Sequence, residues 1–155
     1  ENFHLRHGEA WMKKLCEAGG EGRDLVQRAV DWMFPMGVEW FGMPDDRKHH
    51  NAQLDFKLKG MTNDQLRNTW LKAVVPLCES LGLDVPAHSD PDTGEVELEY
   101  GFPCEWDADD RVWLYDQPIS WDQVWERWRA RGPMNEEFVN SVRRSRGSIE
   151  RMLAA

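Results

Sequence analysis

Cysteine is scarce in this chain: Cys16, Cys78 and Cys104 are its only three, widely spaced and odd in number. With no CxxC pair they provide neither a disulfide framework nor a cysteine zinc site, which favours a reducing, cytoplasmic setting. They have no activating neighbours and are assigned no chemistry. Positive charge is also in short supply, with 19 Lys and Arg against 28 Asp and Glu and a net charge of −9. That balance argues against a broad phosphate-binding surface, and so against nucleic acid as a partner. A local basic cluster could still collect an anionic small molecule. No apolar run approaches the roughly 18 residues that span a bilayer, so no membrane role is expected. Repeats and low-complexity tracts are missing too. Tryptophan, by contrast, is abundant: nine among 155 residues, within an ordinary 41% hydrophobic content. Rings of that size bury much area in a small core or interface, and they argue against disorder.

Apolar periodicity predicts a mostly helical chain. A first helix is expected from Glu1 to about Ala18, with Phe3, His7, Ala10, Trp11, Lys14 and Leu15 at three- and four-residue steps and a stop at Gly19-Gly20. A second runs from about Gly22 to Phe41 on Leu25, Val26, Ala29, Val30, Met33 and Phe34, with a kink or break expected at Pro35. The run Trp32 to Phe41 is apolar nearly all round, as in a helix buried between others. After the turn Gly42–Asp46, Thr62 or Asn63 can cap a further helix that Pro76 bends and Gly82 ends. Val96-Glu97-Leu98-Glu99-Tyr100 alternates with period two, and Val112-Trp113-Leu114-Tyr115 is read as its hairpin partner across an acidic loop. Ser120 caps a helix carrying Trp121, Val124, Trp125 and Trp128. Asn135 can cap a terminal helix through Phe138, Val142, Ile149 and Met152. The aromatic face of Trp121, Trp125 and Trp128 is expected to pack against the rest of a larger protein or a partner subunit.

The chain opens on Glu1-Asn2-Phe3-His4, without the cap that normally precedes a helix, and is read as the C-terminal part of a longer protein. Glu1 and His4 lie one turn apart on one helix face. One helix of a di-iron bundle offers a carboxylate and an imidazole at this spacing. On its own the spacing is common, and its plain reading is a surface pair on an amphipathic helix. His49 and His50 are adjacent in sequence, so they cannot share a helix face as a metal pair.

Several strings in order along the chain carry a resemblance. Glu1 to Gly8 is similar to a family string Glu-Ser-Phe-His-Gln-Arg-Gln-Gly. Ala29-Val30-Asp31-Trp32 resembles Ala-Val-Asp-Arg-Trp, and Trp40-Phe41-Gly42-Met43-Pro44-Asp45 resembles Met-Phe-Gly-Pro-Pro-Asp. Thr62-Asn63-Asp64-Gln65-Leu66-Arg67 looks like Ser-Asn-Asp-Glu-Leu-Arg, followed by Val75-Pro76 and Leu81-Gly82-Leu83; Gly132-Pro133-Met134-Asn135 looks like Gly-Pro-Cys-Asn. The family is that of the phenylacetic acid catabolic proteins, which includes the catalytic subunits of ring 1,2-phenylacetyl-CoA epoxidases. Departures are a longer, more strand-like segment from Ala87 to Asp110, Met134 in place of the usual Cys, and a divergent closing helix.

The resemblance implies an all-α fold: the C-terminal part of a ferritin-like di-iron helical bundle with a short β-hairpin excursion. Residues 1–85 would supply bundle helices, 86–118 a loop and hairpin, and 119–155 the C-terminal helices. It implies an aryl-CoA ring monooxygenase that epoxidises phenylacetyl-CoA with O₂, using NADPH-derived electrons from a separate flavin and iron–sulfur reductase. The alternatives are a sister epoxidase acting on benzoyl-CoA, an oxidase or hydroxylase on another substrate, or a scaffold paralogue that has lost its metal ligands. Glu1 and His4 would be iron ligands, the remaining carboxylates and a second Glu-x-x-His lying upstream. His7 would orient the site, or else be a satisfied polar position beside the core. Arg47, Lys48, His50 and Asn51, with Lys57 and Lys59, would meet the phosphates and pantetheine of coenzyme A, or else form a solvated loop. Asn135 marks the fallback position for that contact. The Met and Trp run from Trp32 to Met43 would line an aryl pocket, or else simply pack the core. Other oxygenase and reductase subunits are the implied partners.

Overall fold

A computed structural model describes residues 2–47, 52–130 and 140–144. Its elements are α1 (Asn2–Ala18), α2 (Gly20–Trp40), a one-turn 3-10 segment (Asp45–Arg47), α3 (Ala52–Asp55), α4 (Asn63–Ser80), β1 (Ala87–Ser89), β2 (Val96–Leu98), β3 (Cys104–Asp107), β4 (Val112–Pro118) and α5 (Trp121–Arg129). Residues 140–144 are also helical. The chain divides into two compact units, one ending at Ile119 and one beginning at Ser120. Among the described residues no helix is long and apolar enough to cross a membrane.

The core of the first unit lies where α2 meets α4. Phe34 and Val38 from α2 pack on Leu71 and Val75 from α4, with Ala87 of β1 closing one side. Fully burying a side chain such as Leu71 contributes about 1.5–3 kcal/mol. Close approach of the two helices depends on Gly37: a Cβ there would stand 2.7 Å from the Trp70 ring. A second cluster of Val26, Cys78 and Leu83 takes in Met12 and Cys16 from α1. Gln27 ties α2 to the chain beyond α4, its side chain donating to the Asp84 carbonyl at 2.8 Å and accepting from the Asp84 N–H at 2.9 Å.

Helix α4 starts with a reciprocal cap. The Thr62 hydroxyl accepts from the Gln65 N–H at 3.1 Å, and the Gln65 side chain accepts from the Thr62 N–H at 2.9 Å. Satisfying two otherwise orphaned donors in this way fixes the helix start. Ser120 and Gln123 repeat the device at α5. Pro35, where a kink or break was expected, and Pro76, expected to bend its helix, both lie inside continuous helices: α2 runs through Pro35 and α4 through Pro76. Proline costs the helix a backbone hydrogen bond. Here the residues on either side, Phe34 and Val38 in one case and Val75 and Cys78 in the other, are buried and hold the helix together.

The expected pairing of residues 96–100 with 112–115 does not occur. There are two antiparallel hairpins: β1 pairs with β2 (His88 opposite Glu97), and β3 with β4 (Trp106 opposite Trp113). Each strand has found its nearest partner, the arrangement that closes the shortest loop. Both turns use one aspartate. Asp90 accepts from the N–H groups of Asp92 and Thr93, and Asp107 from those of Asp109 and Asp110. These are local side-chain bonds that compete with extended backbone. They hold Asp90 below the usual carboxylate range. The fold is therefore mostly helical with two small sheets, where a single hairpin was expected.

In the second unit, α5 carries a tilted Trp121–Trp125 pair at 5.7 Å and an edge-on Trp125–Trp128 pair at 5.0 Å. The expectation of an open tryptophan face holds only in part. Trp121 and Val124 are buried, whereas Trp128 is 39% exposed. The expected terminal helix falls mostly outside the described residues.

Candidate functional site

Helix α1 presents His4 on an exposed surface, its ring edge-on to Phe3 at 5.9 Å. Glu1 lies outside the described residues. One turn on, Phe3, His7 and Trp11 form a ladder at four-residue steps. His7 stacks on Phe3 at 5.8 Å, and its Nε2 accepts from the Trp11 indole N–H at 3.1 Å. Lys14 continues the ladder with its ammonium 5.3 Å from the Trp11 ring. The bond engages Nε2 of His7 and orients its ring along the helix. His7 is thus a satisfied polar group on an exposed face, away from the core.

Helix α1 buries none of its residues. Phe3 is 74% exposed and Leu5 63%. Among the described residues no three His, Cys, Asp or Glu side chains converge where they could hold a metal ion. The described residues therefore do not form a di-iron centre by themselves. Such a centre needs several carboxylate and imidazole donors.

The basic segment starts from a well-held base. Asn63 Nδ2 donates to the Met43 carbonyl at 2.9 Å, Asp64 accepts from the Asp45 N–H at 2.8 Å, and Arg67 Nε donates to the Val38 carbonyl at 3.0 Å. Arg67 also donates to the Gly42 carbonyl and to Asp64, and lies 4.5 Å from the Phe102 ring centre. Burial pulls its pKa down, against the opposing pull of Asp64. The start of α4 thus clamps the loop that leaves α2. Two of the strings that carry the family resemblance, 40–45 and 62–67, meet here as one structural unit.

Arg47 ends the 3-10 turn, exposed. Lys48, His49, His50 and Asn51 lie outside the described residues, as does Asn135. Lys57 is exposed in a left-handed conformation, φ 55°. Lys59 is drawn into the clamp, donating to Asn63. Of the expected coenzyme A contacts, the described residues therefore leave Arg47 and Lys57 facing solvent, and Lys59 has a structural role.

The run from Trp32 to Met43 divides between two environments. Phe34 and Val38 are core, while Trp32 (51% exposed), Met33 and Trp40 face outward. Trp32 borders a groove between α2 and the β3–β4 hairpin that sequence reasoning missed. The only sequence signal for it is the aromatic alternation of Trp106 and Trp113, whose registers depend on the hairpin pairing.

The family model for "Phenylacetic acid catabolic protein" matches residues 1–105, and the chain belongs to that family. It is similar to a subunit of the 1,2-phenylacetyl-CoA epoxidase of Escherichia coli (strain K12), with 27% identity over 146 residues. That alignment covers 94% of this chain and 42% of the relative, so the chain spans less than half the relative's length.

Proposed function

We propose that this chain is part of the oxygenase subunit of a multicomponent aryl-CoA monooxygenase that epoxidises the ring of phenylacetyl-CoA. The observation that carries the reading is His4 on the open face of α1, in a helix that lies within the family match. In this reading α1 and α2 belong to a ferritin-like bundle, and the apolar face at Phe3 and Leu5 is covered by helices equivalent to the part of the relative that this chain does not span. Glu1 and His4 supply one carboxylate and one imidazole to a di-iron centre, and the other donors come from those helices. Such a centre, when bound, would supply the O₂ chemistry for ring epoxidation, and a separate flavin and iron–sulfur reductase would supply the NADPH-derived electrons.

The roles of this chain's own residues are positional. Trp11 holds the His7 ring and thereby stiffens the turn next to His4. The clamp of Asn63, Asp64 and Arg67 holds the base of the basic loop, where Arg47 and Lys48 attract the phosphates of coenzyme A. Outward-facing Trp32 and Met33 offer apolar walls that exclude water once covered.

The test is reconstitution of the complete oxygenase with its partner subunits and reductase, supplied with NADPH, O₂ and either phenylacetyl-CoA or benzoyl-CoA. NADPH-dependent epoxide formation from phenylacetyl-CoA supports the reading, and preference for benzoyl-CoA makes it the sister enzyme. Assembly of a complex that forms no oxygenated product from either thioester would favour the scaffold paralogue.

A further inference from the structure

Two of the three cysteines, far apart in sequence, are brought to one place by the fold. Cys78 is 1% exposed in the cluster it forms with Val26 and Leu83, and the partly exposed Cys16 packs against that cluster. Glu9, Met12 and Cys16 are the partly covered residues of α1, a single stripe at three- and four-residue steps. The backbone on both sides of the pair is held. Gly19 and Gly20, with φ of 66° and 49°, turn α1 back into α2 so tightly that a Cβ on Gly22 would stand 2.9 Å from the Leu15 carbonyl oxygen. At the end of α4, the Cys78 carbonyl accepts from the Leu81 and Leu83 N–H groups at 3.1 and 2.9 Å. Arg23 of α2 donates to the Gly82 carbonyl beside them. Burial raises the Cys78 thiol pKa above its ordinary value, and the charge of nearby Cys16 adds to the rise. Neither thiol has a part in the function proposed above.

We propose that Cys16 and Cys78 are a thiol–disulfide exchange site, at which a low-molecular-weight disulfide such as oxidised glutathione reversibly links α1 to α4. Cys16 is the thiol that a soluble disulfide can reach. Its thiolate attacks one glutathione sulfur, forming a mixed disulfide and releasing a glutathione thiolate, which takes up the proton Cys16 has lost. Cys78 then gives up its proton, attacks the Cys16 sulfur and expels the second glutathione thiolate, which is protonated in turn. Two protein thiols are oxidised to one disulfide, and one glutathione disulfide is reduced to two thiols. The raised pKa of Cys78 makes the second step the slower one, and excess thiol reverses both. Helix α1, which buries none of its residues, gains a covalent tie to the helix that builds the core. Cys104, 0% exposed in β3 and outside this cluster, takes no part. The inference does not rest on the oxygenase reading.

The experiment treats the complete native protein with graded ratios of oxidised to reduced glutathione, alkylates the remaining thiols, and maps disulfides by peptide mass spectrometry. A Cys16–Cys78 cross-link is expected, removed by dithiothreitol, with Cys104 recovered as a free thiol. Cys16→Ser, at a partly exposed position, should abolish the cross-link and leave Cys78 unmodified. Cys78→Ala should instead trap a single glutathione on Cys16, with circular dichroism checking that this core variant folds. The cross-linked protein should melt at a Tm several degrees above the reduced one, because the bond restricts the unfolded chain. Accumulation of glutathione on wild-type Cys16 without the cross-link would overturn the inference, as would thiols that stay unmodified until the protein is denatured. A bond to Cys104 in place of the Cys16–Cys78 bond would overturn it too. So would an unchanged or lower Tm, which would mean that the bond forms only by distorting the fold.

Discussion

Helices α1 and α4 are nearly equal in length, 17 and 18 residues, yet they relate to the fold in opposite ways. Helix α4 buries Asn63, Arg67, Leu71, Val75 and Cys78, a stripe at four- and three-residue steps that runs its whole length. Helix α1 buries nothing, touches the core only through the partly covered Met12 and Cys16, and displays Phe3, Leu5 and Trp11 to solvent. The helix that builds this structure carries no candidate ligand, whereas the helix that carries His4 buries no residue of its own. Segments whose surface is completed by other parts of an assembly are expected to show this pattern.

The sharpest break in the comparison is Arg67→Ala. The substitution strands the carbonyls of Val38 and Gly42 and removes the guanidinium paired with Asp64. Leaving a buried acceptor unsatisfied costs about 1–3 kcal/mol. Denaturant unfolding of the variant should show that loss; a change below about 1 kcal/mol would mean that the clamp does not hold the loop.

A second prediction concerns Tyr100, which packs beside the same clamp. Burial holds its phenol pKa well above the ordinary value, with Cys104, Tyr115 and Glu39 adding in the same direction. A raised folded-state pKa favours the protonated fold. Its contribution is complete below the unfolded phenol pKa of about 10 and declines as pH rises beyond it. The hydroxyl is buried and has no hydrogen-bond partner among the described residues. Tyr100→Phe should therefore leave stability at neutral pH unchanged or slightly higher and flatten the alkaline decline. Unfolding curves at neutral and alkaline pH measure both. A loss above about 1 kcal/mol at neutral pH would show that the hydroxyl has a stabilising partner.

A smaller effect is expected at the basic loop. In the complete oxygenase, Arg47→Ala with Lys48→Ala should raise KM for the acyl-CoA about fivefold, the equivalent of about 1 kcal/mol for exposed charges. The effect should be strongest at low salt, with kcat little changed. An unchanged KM at low ionic strength would leave Arg47 merely solvated.

How much of this is legible in the sequence depends on the range of the interaction concerned. The helices are readable because their signals are local: the three- and four-residue steps, the Gly19-Gly20 stop and the Thr62 and Ser120 caps. The hairpin pairing is not, because alternation in 96–100 and 112–115 shows that strands exist and says nothing of register. The Asp90 and Asp107 turns, which set the true pairing, resemble ordinary acidic loops. The fate of Pro35 and Pro76 depends on burial of their neighbours, which sequence does not display. At the candidate site, the place of His4 on one helix face follows from spacing alone. The engagement of Lys59 with Asn63 and the groove beside Trp32 arise from contacts that spacing does not encode.

The central proposal is that His4 serves a metal and does little for the fold. It is tested most directly by measuring iron content and unfolding free energy together in the complete oxygenase bearing His4→Ala. The account predicts that iron falls well below the wild-type stoichiometry while the metal-free variant unfolds within about 1 kcal/mol of metal-free wild type. Full iron occupancy in the variant would contradict it.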